Sequence, residues 1–507
     1  MRRVLLFVLF IASTTFAHAA SYPKEVEAAL KKAGKNRTEL EKAIRHFQLS
    51  HDQLKLKAVY FLIANMDIHY SMNYYWADAK GKKVSFNELA YPDFNTAVKA
   101  FGIIKAKTPG IHPVPVKYRD IDSIKADFLI NNIDRAFEVW KRPAARQLSF
   151  ANFCEYILPY RASVEPLQNW RDTYMKRFDG LYQSIKNKSV NEALHTIVLE
   201  QKKWFTNTWE IEHRSEPLPR LGAMQLLLRK KGNCDDMAGL QVFILRSQGY
   251  PATIDNIPFW ATTSGTHFFN VTFDKSFRPV PFDVATAGVK IDTFEREPSK
   301  VVRTTFSKQP DALVNFISKN DIPEGFMQTS NYKDVTKEYW QTKDIAEAVS
   351  GNMLNKKIAY ACVFNYLSWK PTWWGKVKKD SVRFNNMCRG VVYMPMWYVN
   401  HQLQPAGYPI AVGIQHQLVL KPDISHLRII NIKQEDKYLN FQPGKNYKLF
   451  YWDNKWKMIG QQRALNNVNK MMFVNVPRNA LLLLLPEYSQ KKERPFIITD
   501  NNERVWF

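Results

Sequence analysis

The stretch Gly232-Asn-Cys234-Asp-Asp-Met-Ala-Gly-Leu240-Gln-Val-Phe-Ile244-Leu245-Arg-Ser-Gln-Gly249-Tyr-Pro251 constrains the fold more than any other part of the chain. Met237, Leu240, Ile244 and Leu245 fall at i, i+3, i+7 and i+8, one apolar face of a helix. Gly249 suits the left-handed residue that ends a helix, and Pro251 excludes its continuation. Gly232 lets the backbone turn sharply before the first helical residue. Cys234 is therefore expected at a helix N-terminus. There the macrodipole favours a thiolate, and free N–H groups can receive an oxyanion.

A nucleophile at that position needs a base. His267 opens Thr266-His-Phe-Phe-Asn-Val-Thr-Phe273, in which Phe269, Val271 and Phe273 alternate as in a half-buried strand. Asp283 closes Pro279-Val-Pro-Phe-Asp283 on a neighbouring strand and is the candidate to hold the imidazole in its working tautomer. For the second oxyanion donor the candidates are Gln225, upstream of Cys234, and the indoles of Trp204 and Trp209. Other chemistries lack their residues. Walker loop, GxGxxG, HExxH and GxSxG are all missing from the sequence. The eleven histidines show no metal-ligand spacing, so neither a metal nor a cofactor is expected.

The N-terminus reads as an export signal. Arg2 and Arg3 precede an apolar run over residues 4–12, and Ala17-His18-Ala19 offers an A-x-A cleavage site. Later apolar runs fall short of the ~20 residues that span a bilayer, so no transmembrane segment is expected. Export to a periplasmic, cell-surface or secreted location follows. The chain carries only four cysteines, Cys154, Cys234, Cys362 and Cys388, too few for a disulfide-stapled fold, although Cys362 and Cys388 could bridge. Lys+Arg exceed Asp+Glu by 72 to 47, a formal charge of +25. The basic residues are scattered and form no stripe, so nucleic acid is not an expected partner.

Along the 507 residues the pattern changes three times, which suggests an α+β multidomain chain. After the signal (1–19) comes a mostly helical region (20–200). It includes helical spacing in Leu54, Ala58, Val59, Leu62, Ile63 and Met66, with Ser50 as a plausible cap. A second such pattern runs through Phe128, Ile130, Ile133, Ala136, Phe137 and Trp140, and residues 108–115, rich in Pro and Gly, read as a loop. The core (201–325) follows, and then a β region (326–507) of alternating runs separated by turns.

The order Cys, His, Asp, with G-x-C opening a helix and H-x-F/W-N opening a strand, resembles the transglutaminase-like superfamily of papain-type folds over residues 221–286. Segments such as Phe61-Leu-Ile-Ala-Asn-Met66, Asp255-Asn-Ile-Pro-Phe-Trp260 and Arg389-Gly-Val-Val-Tyr-Met-Pro395 extend the resemblance to exported, multidomain transglutaminase-domain proteins of Bacteroidetes. That resemblance implies a helical N-terminal region, a transglutaminase/papain-like α+β core and a C-terminal β-sandwich region. It also implies a cysteine peptidase or amidase, with hydrolysis favoured over acyl transfer. The substrate would be a peptide or protein, such as a cell-wall peptide or glycoprotein.

Three further groups are candidates. Tyr160, Arg161 and Glu165 follow Pro159 at a helix-breaking junction, either along the substrate cleft or in a structural ion pair. Trp260 either walls the cleft or packs beside it. Trp369, Trp373, Trp374, Trp397, Trp452 and Trp456 either form a glycan-binding platform or fill the core of the β region. The platform reading leads to the alternative function, a non-enzymatic glycan- or peptide-binding envelope protein that keeps the fold.

Overall fold

The computed structural model describes residues 22–208, 220–284, 290–291, 297–350, 356–413, 417–435, 439–466 and 468–506. The expected signal segment lies outside them. No described helix is long and apolar enough to cross a membrane.

The N-terminal region is built on helices. Arg37–Leu49, Gln53–Asn65 and Ala126–Trp140 bury Leu40, Ile44, Phe47, Leu62, Ile63, Leu129 and Ile133 against one another. The cap of the second helix is Asp52, whose side chain accepts from the Lys55 N–H at 3.0 Å, and not Ser50. Leu54 is exposed and lies outside the apolar face. Residues 112–119, where Pro and Gly suggested a loop in part, form the strand His112–Arg119 along Tyr70–Ala77. That strand is an edge, where Pro113 and Pro115 cost no ladder bond.

The core packs the helix Cys234–Gln248 against an antiparallel six-stranded sheet. The strand order is Tyr332–Asp334, Val302–Thr304, Ala252–Ile257, His267–Phe273, Pro279–Asp283, Lys290–Ile291. The helix buries more than one face, because every residue from 240 to 248 is buried. Its apolar side chains contribute on the order of 10 kcal/mol of gross burial. Gly249, at φ +93°, ends it as expected. The histidine strand is likewise covered on both faces. Asn270 and Thr272 are buried, donating to the Ala238 and Pro251 carbonyls at 2.9 and 2.8 Å.

The C-terminal region is strand-rich. An eight-stranded antiparallel sheet runs through Ile358–Asn365 at its centre. Alternate side chains of this strand enter two separate cores. Tyr360, Cys362 and Phe364 join one, and Ala359, Ala361 and Val363 the other. Cys388 belongs to the second core and Cys362 to the first, so no bridge joins them, and all four cysteines are free. Beyond it, Asp423–Lys433 and Lys470–Arg478 share a core with a five-stranded sheet through Ile430, Tyr447, Phe473 and Phe496. Trp369, Trp397 and Trp452 are buried and fill cores, while Trp373, Trp374 and Trp456 are partly exposed.

The junction after Pro159 is structural. Tyr160, Arg161 and Glu165 are 1%, 3% and 5% exposed. Arg161 grips the fully buried Asp120 with Nε at 2.7 Å and Nη2 at 2.5 Å, and the Tyr160 hydroxyl donates to the same carboxylate at 3.0 Å. The Glu165 carboxylate accepts from the Ala162 and Ser163 N–H groups, both at 2.7 Å. A guanidinium paired this way inside a core cannot also clamp a substrate. Arg161→Lys keeps the charge and loses the fork, and a buried pair with one partner compromised loses on the order of 3 kcal/mol. We expect a lower Tm and an unchanged kcat/KM for the folded fraction. A kinetic defect at wild-type Tm would place Arg161 at the substrate after all.

Candidate active site

Cys234 is positioned from both sides of a sharp turn. Thr206–Asn207 runs parallel to Lys231–Gly232, and the Thr208 N–H donates to the Gly232 carbonyl at 2.7 Å. At the helix start, Asn233 Oδ1 accepts from the Asp236 N–H at 3.3 Å, and Asp236 Oδ2 accepts from the Asn233 N–H at 3.1 Å. This reciprocal cap satisfies two backbone donors and leaves the Cys234 N–H in the first turn, where a helix supplies no internal acceptor. Gly232 is required by close approach. A Cβ there would stand 2.5 Å from Asp236 Cβ.

His267 begins its strand opposite Ile257. The register Asn270 to Phe282 sets Asp283 diagonally across from it, within side-chain reach. The imidazole Nε2 lies 2.6 Å from Asp283 Oδ2, and Cys234 is near enough to raise the ring's pKa. With Nε2 on the carboxylate, Nδ1 is the atom left for the thiol. Burial pulls the ring toward neutrality, but the bonds to Asp283 and Cys234 outweigh it and raise the pKa to about 9. His267 is therefore an imidazolium at neutral pH. The stability this pair contributes is complete below the unfolded value near ~6.5 and is lost as pH rises through about 9.

Aromatic rings enclose the imidazole. Trp260 and Phe269 stack on it, with centroids at 5.8 and 5.9 Å and both planes inclined by 23°. Trp260 thus lies on the ring of His267 itself. Around Cys234, Arg220 pairs with Asp235 and lies over the Phe268 ring at 4.8 Å. Lys202 is near enough to Asp283 to feel its charge, although burial is the larger influence and lowers its pKa.

Of the expected oxyanion donors, Gln225 is spent elsewhere. Its Oε1 accepts from the Gly222 N–H at 2.8 Å, and its Nε2 donates to Glu88 at 2.7 Å. Arg229 holds the other Glu88 oxygen at 2.8 Å, so the amide is part of a structural junction. Trp204 packs on Phe178 and Phe205 beneath Arg177. Trp209 lies outside the described residues. The sequence reading missed Asn233 and Asp236, although Asn and Asp three apart at a helix start are a capping signature. Among the described residues no three His, Cys, Asp or Glu side chains gather in a metal-holding group.

Residues 181–283 match the family model described as the transglutaminase-like superfamily. The matched span contains Cys234 and His267 and ends on Asp283. No curated protein matches the chain. Among solved structures, the transglutaminase of red sea bream is similar at 10% identity and a TM-score of 0.23, over 85% of this chain and 76% of that one.

Accessibility separates the four thiols. Cys154 is 2% exposed, Cys362 and Cys388 are fully buried, and only Cys234 is half-buried. Burial pushes the Cys154 and Cys362 thiols up, and the Cys388 thiol up to about 12. Iodoacetamide should therefore modify Cys234 alone in the native protein, and the other three only after denaturation. Peptide mass mapping at mildly acidic pH checks this, and equal labelling of all four would contradict it.

Proposed function

We propose that this member of the transglutaminase-like superfamily is an exported cysteine peptidase or amidase that hydrolyses peptide or amide bonds through Cys234, His267 and Asp283. The single observation behind the reading is the 2.6 Å contact between His267 and Asp283, with Cys234 at the start of a buried helix near enough to act on the same imidazole. An imidazole that takes the proton of a thiol at a helix N-terminus, giving a thiolate–imidazolium pair, is the arrangement in which cysteine nucleophiles work.

The reaction follows in two halves. His267 takes the proton of Cys234, the thiolate attacks the amide carbonyl carbon, and the tetrahedral oxyanion is received by the Cys234 N–H. His267 gives its proton to the leaving amine as the C–N bond breaks, leaving a thioester. Water then loses a proton to His267 as it attacks the thioester, the C–S bond breaks, the acid departs, and the Cys234 thiolate is left beside the imidazolium. Asp283 holds the imidazole tautomer and its charge throughout. An amine in place of water would make the product a new amide, so both outcomes share every step to the thioester. The partner is a peptide or protein, a cell-wall peptide or glycoprotein among them.

Activity-based labelling of Cys234 followed by a peptide library, with and without an added amine, tests the reading. New carboxyl termini indicate hydrolysis, amine-tagged products indicate transfer, and a binding protein gives neither. Cys234→Ala and His267→Ala should each abolish turnover, because nucleophile and base act as one unit. Asp283→Asn should retain a residue about a thousandfold or more below wild type. Retained turnover in Cys234→Ala would move the chemistry elsewhere.

The pH dependence carries its own sign. His267 must be protonated to serve the leaving amine, so kcat/KM should fall as pH rises through about 9. A pH–rate profile that stays flat to well above that value would argue against an imidazolium general acid.

A further inference from the structure

We propose that Asn365, in the strand-rich region, is a positioning residue for the Cys234–His267 pair, acting by clamping the loop that lays Trp260 on the imidazole. The inference rests on the reading of Cys234 and His267 given above.

Residues 258–266 join the strand Ala252–Ile257 to the histidine strand, but they do not stay with the core sheet. Ala261 and Phe259 pack into the core around Tyr393 and Trp397 of the eight-stranded sheet. Ser299 Oγ donates to the Phe259 carbonyl and meets Thr372 Oγ1 at 2.6 Å. The hub is Asn365, the last residue of Ile358–Asn365 and only 2% exposed. Its Nδ2 donates to the carbonyls of Trp260, Thr263 and Gly265 at 3.0, 3.1 and 3.1 Å. Its Oδ1 accepts from the Gly265 N–H at 3.1 Å. One side-chain amide thus reads four backbone groups of one loop, and the Trp260 N–H closes that loop onto the Gly265 carbonyl at 3.0 Å.

Two backbone features mark the contact as demanding. Gly265 sits at φ +97°, which side-chain-bearing residues rarely adopt. Tyr366 and Leu367, immediately after Asn365, have φ of +50° and +57° in the two-residue turn to Ser368–Lys378, where Asn and Gly are the usual occupants. The hairpin that delivers Asn365 therefore holds a conformation its own residues disfavour, and such strain persists only where surroundings fix it.

Interdomain packing alone would account for an amide bridging two regions. It would not account for the endpoint, because the first carbonyl held belongs to the residue whose ring stacks on His267. A near-parallel indole face attracts an imidazolium and keeps water from that side of it. Loosening the loop would then weaken the protonated form of His267 without altering Cys234, His267 or Asp283.

The test needs no substrate. The titration of His267 itself is followed through the NMR shifts of its ring protons against pH on the full chain, for wild type, Asn365→Ala, Trp260→Ala and the double variant, alongside Tm. In wild type the profile should show an inflection near 9 from His267. In Asn365→Ala it should move down by about one pH unit, a tenfold change in the protonation equilibrium. Trp260→Ala should do the same, and the double variant should be no worse than Trp260→Ala, because Asn365 acts through Trp260. Asn365→Ser, which keeps one donor, replaces the alanine variant if that fails to fold, and should shift the inflection part of the way. A wild-type inflection retained in a folded Asn365 variant overturns the clamp alone, as do losses that add in the double variant. No inflection in wild type overturns the Cys234–His267 reading and the clamp with it.

Discussion

Burying the helix Cys234–Gln248 on all sides is the constraint to which the rest of the structure answers. A surface helix can leave its last carbonyls to water, but this one cannot. Gly249 turns the chain so that the Tyr250 N–H reaches the Leu245 carbonyl at 2.9 Å. Arg246 then spends its guanidinium on the carbonyls of Tyr156, Pro159, Arg161 and Ala252. The helical region and the first strand of the core are thus tied to the helix end by one side chain. At the other end Cys234 and its immediate neighbours approach the surface. A nucleophile on an element this immobile is held in place before any substrate arrives.

That solution puts positive charge inside. Arg246 and Arg171 are buried with carbonyl partners, and Arg171 gathers those of Ile157, Leu158 and Pro159. Burial pulls the Arg246 pKa down to about 10 and that of Arg171 well below its usual value. Arg161, Arg229 and Arg303 are buried against Asp120, Glu88 and Asp255, and Lys300 against Asp334. Part of the +25 excess is therefore internal scaffolding, and the charge balance says less about partners than its size suggests. Such groups are costly to bury and costlier to strand, so their value lies in fixing one arrangement of segments.

What was legible in the sequence was local. The cysteine helix, the histidine strand and the strand ending in Asp283 each declare themselves within a few residues, through periodicity, a terminal glycine and alternation. What failed depended on partners far away. Arg161 looked available because Asp120 lies 41 residues upstream, and Gln225 because Glu88 lies 137 residues upstream. Asn270 and Thr272 read as the solvent face of a half-buried strand. Their polar groups are instead satisfied by carbonyls of other segments. Cys362 and Cys388 looked like a bridge until the register put them on opposite faces of one sheet. Asn365 carried no signal at all, being one polar residue at the end of an apolar strand.

The same long-range contacts explain why the regions read so differently along the chain yet do not behave as separate beads. The outermost core strand, Tyr332–Asp334, arrives after the first turns leading into the strand-rich region and pairs with Val302–Thr304. Lys300, fully buried, meets Asp334 at 2.8 Å, donates to the Asn385 and Asn386 carbonyls, and lies over the Trp373 ring at 4.5 Å. Arg303 joins Asp255 of the central strand to Glu338. Separating the regions would strand a buried lysine and expose the apolar loop that carries Phe259 and Ala261. The strand-rich region is therefore better understood as the far wall of the core than as an appendage to it. An active site built from one region borrows its rigidity from the other.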